Sequence, residues 1–381
     1  MNRPNLDLST IKKINVREFG AVGDGKTDDL NAFKAAIQQA INYNAALVID
    51  EAEYYLSAHL TLCKINVISN NATLLYYGTQ KNTPCISMED HVNIFGHLNI
   101  YAHDVGGVHH GERCCMAFGN YDVGKGAHHC YVESLTCLGG IRDANGVLIT
   151  GDSSDISMER ITVPRGTKIK RGFLAHWGNA NAANTYRKSL KENPNTKIDV
   201  MKDPLGPITH PHNIHIGRVE CTGLMPLPEC ARNKDTDNAA VAICACYDIT
   251  VDEVIVEDAC HACMITGADH GFEFSSPEER EHGQHTLHIG KITAKGLTSA
   301  GIYVTGFAWF NEAEGVKTRL TIDEAHVEAA EGADHWHGQP ALGASKVKQL
   351  TVGSLTYKGY DVAVDTSKSE RVTVKSITKL L

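Results

Sequence analysis

The chain has 381 residues, of which 42% are hydrophobic and 21% charged, and its formal net charge is −9. This much apolar surface offsets the entropy of ordering a chain and excludes intrinsic disorder. No apolar run approaches the roughly 18 residues of a membrane span, and neither coiled-coil heptads nor the basic stripe of a nucleic-acid binder is present. We therefore expect a folded protein with neither nucleic acid nor a membrane as its partner.

The N-terminal sequence MNRPNLDLSTIKK lacks the apolar segment of a signal peptide. A cytoplasmic location is the default expectation, and a secreted, released or phage-associated protein is expected only if a signal has been removed. Twelve cysteines in a chain of this length are typical of reduced thiols rather than of a disulfide framework. Cys260 and Cys263 form a CxxC pair, but no second pair at zinc-ribbon spacing accompanies it, which favours ordinary thiols.

Residues 16–40 predict a turn followed by a helix. Gly-Asp-Gly at 23–25 predicts the turn, Thr27 or Asp28 can cap the helix, and Asp29 lies at its positive end. The apolar stripe of this helix has the spacing i, i+3, i+4, i+7 and consists of Phe33, Ala36, Ile37 and Ala40. Such a helix can cover the unpaired strand edge at one end of a β-stack, so we interpret the three aspartates as structural.

The segment FGAVGDGKTDDLNAF at 19–33 closely resembles the N-terminal motif of the pectate-lyase-like superfamily. The similarity continues into Leu-Val-Ile-Asp at 47–50 and Tyr-Tyr-Leu at 54–56. This superfamily includes polysaccharide lyases, polygalacturonases, mannuronan epimerases and phage tailspike depolymerases. The resemblance implies a polysaccharide or oligosaccharide substrate in a groove along one sheet. It leaves a homotrimer open, as in tailspike-like relatives, and calcium too, although no carboxylate cluster supports calcium and we predict no cofactor.

One bent pattern recurs along the chain: two alternating apolar positions, two polar or small residues, and two further alternating apolar positions. Its eight copies begin at Cys130, Ile156, Ile214, Ile249, Leu287, Leu320, Leu350 and Val372. Apolar residues at every second position indicate a strand with one buried face. The two polar or small residues at the centre shift this alternation by one position, so the apolar side chains stay on the buried face only if the chain bends there. A second kind of strand falls between copies, at 146–149, 172–175, 240–243, 262–265, 301–304 and 361–364.

Each cycle is thus three short strands around a closed turn, and stacked cycles bury one continuous core. An antiparallel β-sandwich also has short, regularly spaced strands, but it does not repeat one bent motif eight times. The sequence therefore predicts an all-β protein. Together with the resemblance, this means a single-stranded right-handed parallel β-helix with an N-terminal capping helix. The single domain covers residues 1–381, with an inserted loop at about 179–211.

The resemblance implies that catalytic groups lie on or beside the second kind of strand. Polygalacturonases carry aspartates there, whereas the corresponding positions here are Ala144-Asn145, Lys170-Arg171, Asn238-Ala239, Cys260-His261 and Ala300. Only His261 matches, and without the two carboxylates that hydrolysis needs, a polygalacturonase is disfavoured.

The segment 167–178 has the residue types of a binding site for an acidic sugar. Arg171 precedes a strand, with Lys168 and Lys170 just before it, and such cations can neutralise a carboxylate. His176 and Trp177 follow the strand, and a Trp ring can stack on a sugar. In the structural alternative, His176 bonds a turn and Trp177 packs under the insertion.

Further candidates lie in later coils. His212 is expected to approach His176 from the next coil, but no carboxylate or Cys at ligand spacing completes a three-His metal site there. Asp269 and Glu273 follow the His261 strand, and Tyr303 and Trp309 can extend a sugar-binding surface. The candidate catalytic residues are therefore Arg171, His176, His212, His261, Asp269 and Tyr303, and the candidate substrate-binding residues are Lys168, Lys170, Trp177, Glu273 and Trp309.

These residue types favour cleavage of a complex, uronate-containing polysaccharide by β-elimination. That reaction needs a cation for the carboxylate, a base and an acid, which Arg171, His176 or His261, and Tyr303 can supply. Hydrolysis would need paired carboxylates, for which Asp237, Asp269 and Glu273 are candidates, so it ranks second. A non-cleaving glycan-binding protein and a sugar epimerase remain alternatives.

Overall fold

The computed structural model describes residues 3–78, 83–102, 114–139, 144–224, 238–266, 274–282, 286–305, 319–332, 339–366 and 369–381. Within these ranges almost all regular structure belongs to two parallel sheets, sheet A with 14 strands and sheet B with 10. No helix in the same ranges is long and apolar enough to cross a membrane.

Sheet A contains β1 (Lys13–Asn15), β2 (Asp24–Asp28), β3 (Ala46–Ile49), β4 (Glu53–Leu56), β6 (Ile65–Tyr76), β8 (Val92–Ala102), β10 (His128–Gly139), β12 (Ser154–Val163), β14 (His212–Thr222), β16 (Ile249–Ala259), β18 (Thr286–Leu297), β20 (Arg319–Ala329), β22 (Gln349–Lys358) and β24 (Arg371–Lys379). Sheet B contains β5 (Leu60–Leu62), β7 (Ile86–Met88), β9 (Cys114–Phe118), β11 (Ala144–Ile149), β13 (Ile169–His176), β15 (Ala239–Cys244), β17 (His261–Thr266), β19 (Ile302–Thr305), β21 (Leu342–Ser345) and β23 (Val364–Asp365). The helices are a 3-10 helix (Val16–Phe19), α1 (Leu30–Asn42), α2 (Ala180–Glu192) and α3 (Pro277–His282).

Helix α1 covers the first coils, as the sequence predicts. It buries the expected apolar stripe, together with Leu30, in the same core as the strands. The residue before the helix is Asp29, and the predicted cap Asp28 accepts the first helical N–H, that of Leu30, at 3.1 Å. The Asp29 carboxylate accepts the N–H groups of Val22 and Gly23 at 2.6 and 3.0 Å. This carboxylate therefore fastens the preceding turn instead of capping the helix directly.

Each long strand of sheet A bends at its centre. In β10, Val132 and Leu135 are both buried on either side of the two-residue corner, which is the phase slip seen in the sequence. Parallel pairing aligns the first positions of all eight predicted copies, from Cys130 through Ile156 and Ile214 to Val372. The repeat is therefore confirmed as one in-register stack.

Sheet A also holds two earlier copies that the sequence pattern does not reveal. In β6 the buried Val67 and Ala72 are separated by four residues, and in β8 Ile94 and Leu98 are separated by three, instead of two. The extra residues are absorbed at the corner, where Asn71 has φ 59° and the register shifts. A search for a fixed spacing misses these strands for that reason.

Small residues such as Gly146 and Gly172 lie near the start of strands of sheet B, where the backbone comes close to sheet A. A Cβ added at Gly172 would lie 2.3 Å from the Cys221 sulfur of sheet A, and one at Gly146 would lie 3.1 Å from that of Cys137. The two sheets therefore approach too closely for a larger side chain. Phe173, after Gly172, is buried in the core, whereas Arg171 before it is half-exposed.

The insertion at about 179–211 is a packed unit rather than the predicted loop. It contains α2, whose apolar side builds a second core with the turn residues of neighbouring coils. Tyr186 of this helix donates to the Gly206 carbonyl at 2.7 Å, and its ring lies 5.2 Å from that of Phe274. The sequence signal is the spacing of Ala180, Ala183 and Tyr186, which repeats on one helical face.

Candidate functional site

The outer face of sheet B carries two rows of side chains that run across the coils. The first, the corner row, is set by strand pairing and consists of Cys114, Asn145, Arg171, Ala239 and His261. The second, the apolar row, lies three residues further along each strand and consists of Ala117, Leu148, Leu174, Ala242, Met264 and Tyr303. The polar groups of the corner row therefore border an apolar floor that is buried from Ala117 to Ala242 and partly exposed at Met264 and Tyr303.

Arg171 lies in the middle of the corner row and is half-buried. Its Nη1 donates to Asn145 Oδ1 at 3.3 Å, and Asn145 is completely buried. The amide thus orients the guanidinium on the outer face. Along the same segment Lys170 is half-buried and Lys168 is exposed, so positive charge collects at this end of β13.

His261 lies two strands from Arg171, which corresponds to about 10 Å at the usual strand spacing. The distance between His261 Nδ1 and the Ala300 carbonyl oxygen is 2.5 Å. Since a carbonyl only accepts, Nδ1 carries the proton and Nε2 is the basic nitrogen of the neutral ring. The Tyr303 ring stacks on this imidazole, with centroids 5.7 Å apart and an interplanar angle of 26°.

His261 is 2% exposed, whereas Tyr303 is half-exposed. The Nε2 atom of His261 is itself buried, and the Tyr303 ring covers one side of the imidazole. Ala239, between Arg171 and His261, contributes only a methyl group to the floor. Arg171, His261 and Tyr303 are the three predicted catalytic residues that the structure brings to one face.

Trp177 does not offer a face to a sugar. It is 2% exposed, the Tyr121 ring lies 5.1 Å from its ring, and the Arg187 guanidinium lies over it at 5.6 Å. The prediction that this ring stacks on substrate is therefore wrong for this structure, because the inserted unit packs over it.

His176 is at the far end of β13 from Arg171. The two residues are five positions apart in extended chain, which corresponds to about 16 Å. The His176 Nδ1 donates to the Trp177 carbonyl at 3.0 Å, and the ring meets Tyr121 edge-on at 5.2 Å. This arrangement matches the structural alternative for His176.

His212 belongs to sheet A and stacks on Tyr247 with centroids 4.9 Å apart and planes at 6°. Its Nδ1 donates to the His210 carbonyl at 3.1 Å. The described contacts thus place His212 and His176 in different clusters. Across the described ranges, no group of three or more His, Cys, Asp or Glu side chains is arranged to hold a metal ion.

Four predicted residues, Asp237, Asp269, Glu273 and Trp309, lie outside the described residues, and their roles stay predictions. Two residues that the sequence analysis did not select are prominent. Asn145 orients Arg171, and Glu279 accepts the N–H of the buried His210 at 3.2 Å. The sequence signal for Glu279 is a capping box, since Ser276 lies three residues before it and the two exchange hydrogen bonds.

No protein-family model matches the sequence, and no curated protein matches it either. Among solved structures, PfbA, a surface adhesin of Streptococcus pneumoniae, superposes with a TM-score of 0.51 at 12% identity, over 96% of this chain and 91% of that chain. The chain has the right-handed parallel β-helix fold.

Two further β-helix structures are similar, at lower scores. The A-module of mannuronan C-5 epimerase AlgE6 from Azotobacter vinelandii has a TM-score of 0.41 and 12% identity, over 97% of this chain and 99% of that chain. A family 28 exopolygalacturonase of Yersinia enterocolitica has a TM-score of 0.41 and 11% identity, over 98% of this chain and 79% of that chain. The similarity to PfbA confirms the predicted right-handed parallel β-helix fold.

Proposed function

We propose that the protein binds a uronate-containing polysaccharide on the outer face of sheet B and cleaves it by β-elimination. The observation that supports this proposal is the order of Arg171, His261 and Tyr303 across neighbouring coils. The cation and the base stand in the corner row, and the acid stands in the neighbouring apolar row with its ring stacked on the base. A polysaccharide lying across the coils would meet them in that order.

Each group has a role in the elimination. The Arg171 guanidinium binds the uronate carboxylate and stabilises the negative charge that spreads onto it. His261 Nε2 removes the proton from C5, because Nδ1 is already committed to the Ala300 carbonyl. The C5–H electron pair forms the C4–C5 double bond, the C4–O bond breaks, and the Tyr303 hydroxyl protonates the departing oxygen. Product release leaves a tyrosinate and an imidazolium, which exchange the proton through their contact or through solvent.

Hydrolysis is less well supported. It needs two carboxylates, and neither the corner row nor the apolar row from β9 to β19 contains Asp or Glu in the described residues. One observation favours a non-cleaving glycan-binding protein as the second candidate. His261 is 2% exposed, and a buried imidazole can serve to hold the corner together rather than to meet substrate.

The test is incubation with uronate-containing glycans while the ultraviolet absorbance of the unsaturated product is followed. Arg171→Ala is expected to lower the turnover rate by about a hundredfold or more, because it removes a charge that faces the developing anion. The matched control is Arg165→Ala, since Arg165 pairs with Asp258 at 2.6 Å on the exposed surface. Depolymerisation without the absorbance would identify a hydrolase, and binding without any cleavage would identify a glycan-binding protein.

The same assay addresses the remaining proposals about cofactor and assembly. We propose that no cofactor is needed, so a chelator is expected to leave the rate unchanged, and a calcium requirement would contradict this. A homotrimer and a cytoplasmic location also remain proposals. Sedimentation of the intact chain measures the assembly state.

A further inference from the structure

A patch of tyrosines lies on sheet A, away from the face that carries His261. Tyr55 of β4 and Tyr101 of β8 stand in register on either side of Leu75 in β6. Tyr77, just after β6, touches both rings, with centroid distances of 5.5 Å to Tyr55 and 6.1 Å to Tyr101. We call these four residues the tyrosine patch.

The tyrosine patch presents its central ring to solvent. Tyr77 is 38% exposed, while Tyr55 and Tyr101 are half-buried. Tyr55 meets Tyr77 edge-on at 71°, and Tyr101 is tilted by 45° to it, so neighbours on both sides hold the exposed ring. Because a Tyr side chain has only two torsions, little entropy remains to be lost when something binds to it.

A polar row runs parallel to the tyrosine patch. Glu53, Thr73 and Asn99 are in register with one another and lie two residues before Tyr55, Leu75 and Tyr101 on the same outer face. The separation of the two rows is about 7 Å along the strands. The Asn99 amide donates to Asn71 Oδ1 at 3.2 Å and to the Ala72 carbonyl at 3.3 Å, and its Oδ1 lies 3.1 Å from His97 Nε2. Asn99 is therefore held in place, and Glu53 and Thr73 supply the hydrogen-bonding groups of this row.

An apolar strip beside a row of hydrogen-bonding groups matches the chemistry of a sugar chain. A pyranose ring has an apolar face of C–H groups, which stacks on aromatic rings, and a rim of hydroxyl groups, which bond to amides, hydroxyls and carboxylates. Both rows cross three successive coils, whose spacing is about 4.8 Å. An extended sugar chain lying along the β-helix axis therefore meets both rows at once.

The charges beside the tyrosine patch select among sugars. Glu53 and Glu51 are exposed, and Glu51 accepts from Asn71 at 3.1 Å next to the polar row. These carboxylates repel an anionic chain, in contrast to the cations around Arg171. We propose that the tyrosine patch and the polar row form a second glycan-binding surface, which takes a neutral stretch of polysaccharide. This inference does not depend on the cleavage proposed for sheet B.

Affinity electrophoresis of the intact protein tests the inference, with soluble β-glucan, galactomannan and arabinogalactan as neutral probes and polygalacturonate as the acidic probe. Retardation by at least one neutral probe is expected, and Tyr77→Ala should weaken it about tenfold because the exposed stacking surface is lost. Tyr77→Phe should retain binding, since the ring stays. Tyr43→Ala is the matched control, because Tyr43 is 54% exposed on the N-terminal cap but outside the patch.

The outcomes are separable from those of the cleavage assay. Loss of neutral-glycan binding in Tyr77→Ala, with its thermal unfolding unchanged, supports the inference even if no cleavage is found anywhere. Absence of Tyr77-dependent binding to every neutral probe overturns it, as does a preference for polygalacturonate at this surface. A change in sedimentation caused by Tyr77→Ala also overturns it, because the patch would then be a contact between copies of the chain.

Discussion

Glu279 is a carboxyl group whose ionisation is changed by its position between α3 and the inserted unit. Burial raises its pKa from the usual 4.5 to about 7, and this outweighs the opposing effect of the hydrogen bonds from Ser276 and His210. Between these two pH values the unfolded chain gives up a proton that the folded chain keeps. The free energy of unfolding therefore falls as the pH rises through this window and is constant above it.

Glu279→Gln is expected to remove most of that pH dependence, because the amide keeps an acceptor for His210 but does not ionise. A pKa raised from 4.5 to about 7 corresponds to a change in the free energy of unfolding on the order of 3 kcal/mol across the window. Urea unfolding at both ends of the window measures it. Glu278→Gln, an exposed neighbour on the same helix, is the control. Parallel profiles for Glu279→Gln and the parent would contradict the assignment.

At the scale of single residues, the sequence shows which side chains have suitable chemistry more reliably than it shows which side chains are exposed. Arg171 and His261 are predicted from their positions before strands, and strand pairing does put them in one row. The prediction that Trp177 stacks on a sugar uses the same reasoning and is wrong. Its exposure depends on α2 and Tyr121, which contact it from distant parts of the chain, and local sequence carries no record of that packing.

At the scale of the strand, residues at the same position of the repeat contribute differently to the free energy of unfolding, depending on where their coil lies in the stack. Ile292 of β18 and Ile377 of β24 occupy the same position of the repeat and are linked by register through Ala325 and Leu355. Ile292 is completely buried, whereas Ile377 is 49% exposed. The motif alone predicts equal burial, so only the neighbouring coils distinguish the two.

Ile292→Ala is expected to lower the free energy of unfolding by about 2–5 kcal/mol, as large-to-small changes in cores do. Ile377→Ala removes the same atoms from a half-exposed site and should cost less than about 1 kcal/mol. Thermal or urea unfolding of both variants gives the comparison. Equal losses would mean that β24 is covered as fully as β18, contrary to the stack seen here.

The repeat is visible in the sequence where the corner has a constant length. The copies from β10 to β24 keep two residues between their apolar pairs and are all found, whereas β6 and β8 insert extra residues at the corner and are missed. Helix α2 is missed for a different reason. It lies in a polar insertion, and its short apolar side is completed by residues of other coils.

At the scale of the whole molecule, function depends on which coils are neighbours. Arg171, His261 and Tyr303 are far apart along the chain yet lie within three successive strand pairings. The lengths of the intervening loops do not change the rise of the stack, so sequence separation is a poor guide to distance in a β-helix. Their proximity can be predicted because the sequence pattern assigns each of them to a strand of sheet B.

The thiols report on the integrity of the same stack. Of the eleven cysteines in the described ranges, all except Cys63 are buried. Burial raises the pKa of the Cys130 thiol to about 12, and raises those of Cys85 and Cys246 well above the usual value. Because the thiolate is the reactive form, these groups are protected for as long as the coils remain closed.

Among the described cysteines, only Cys63 is therefore expected to react quickly with a thiol reagent in the folded protein. Cys63→Ser should remove one equivalent of fast reaction, whereas Cys130→Ser should leave the fast count unchanged and remove one equivalent only after denaturation. The measurement is the time course of thiol modification with and without denaturant. Fast modification of the buried thiols in the folded protein would show that the coils open on that timescale, since reagent reaches Cys130 only when its coil separates from the next.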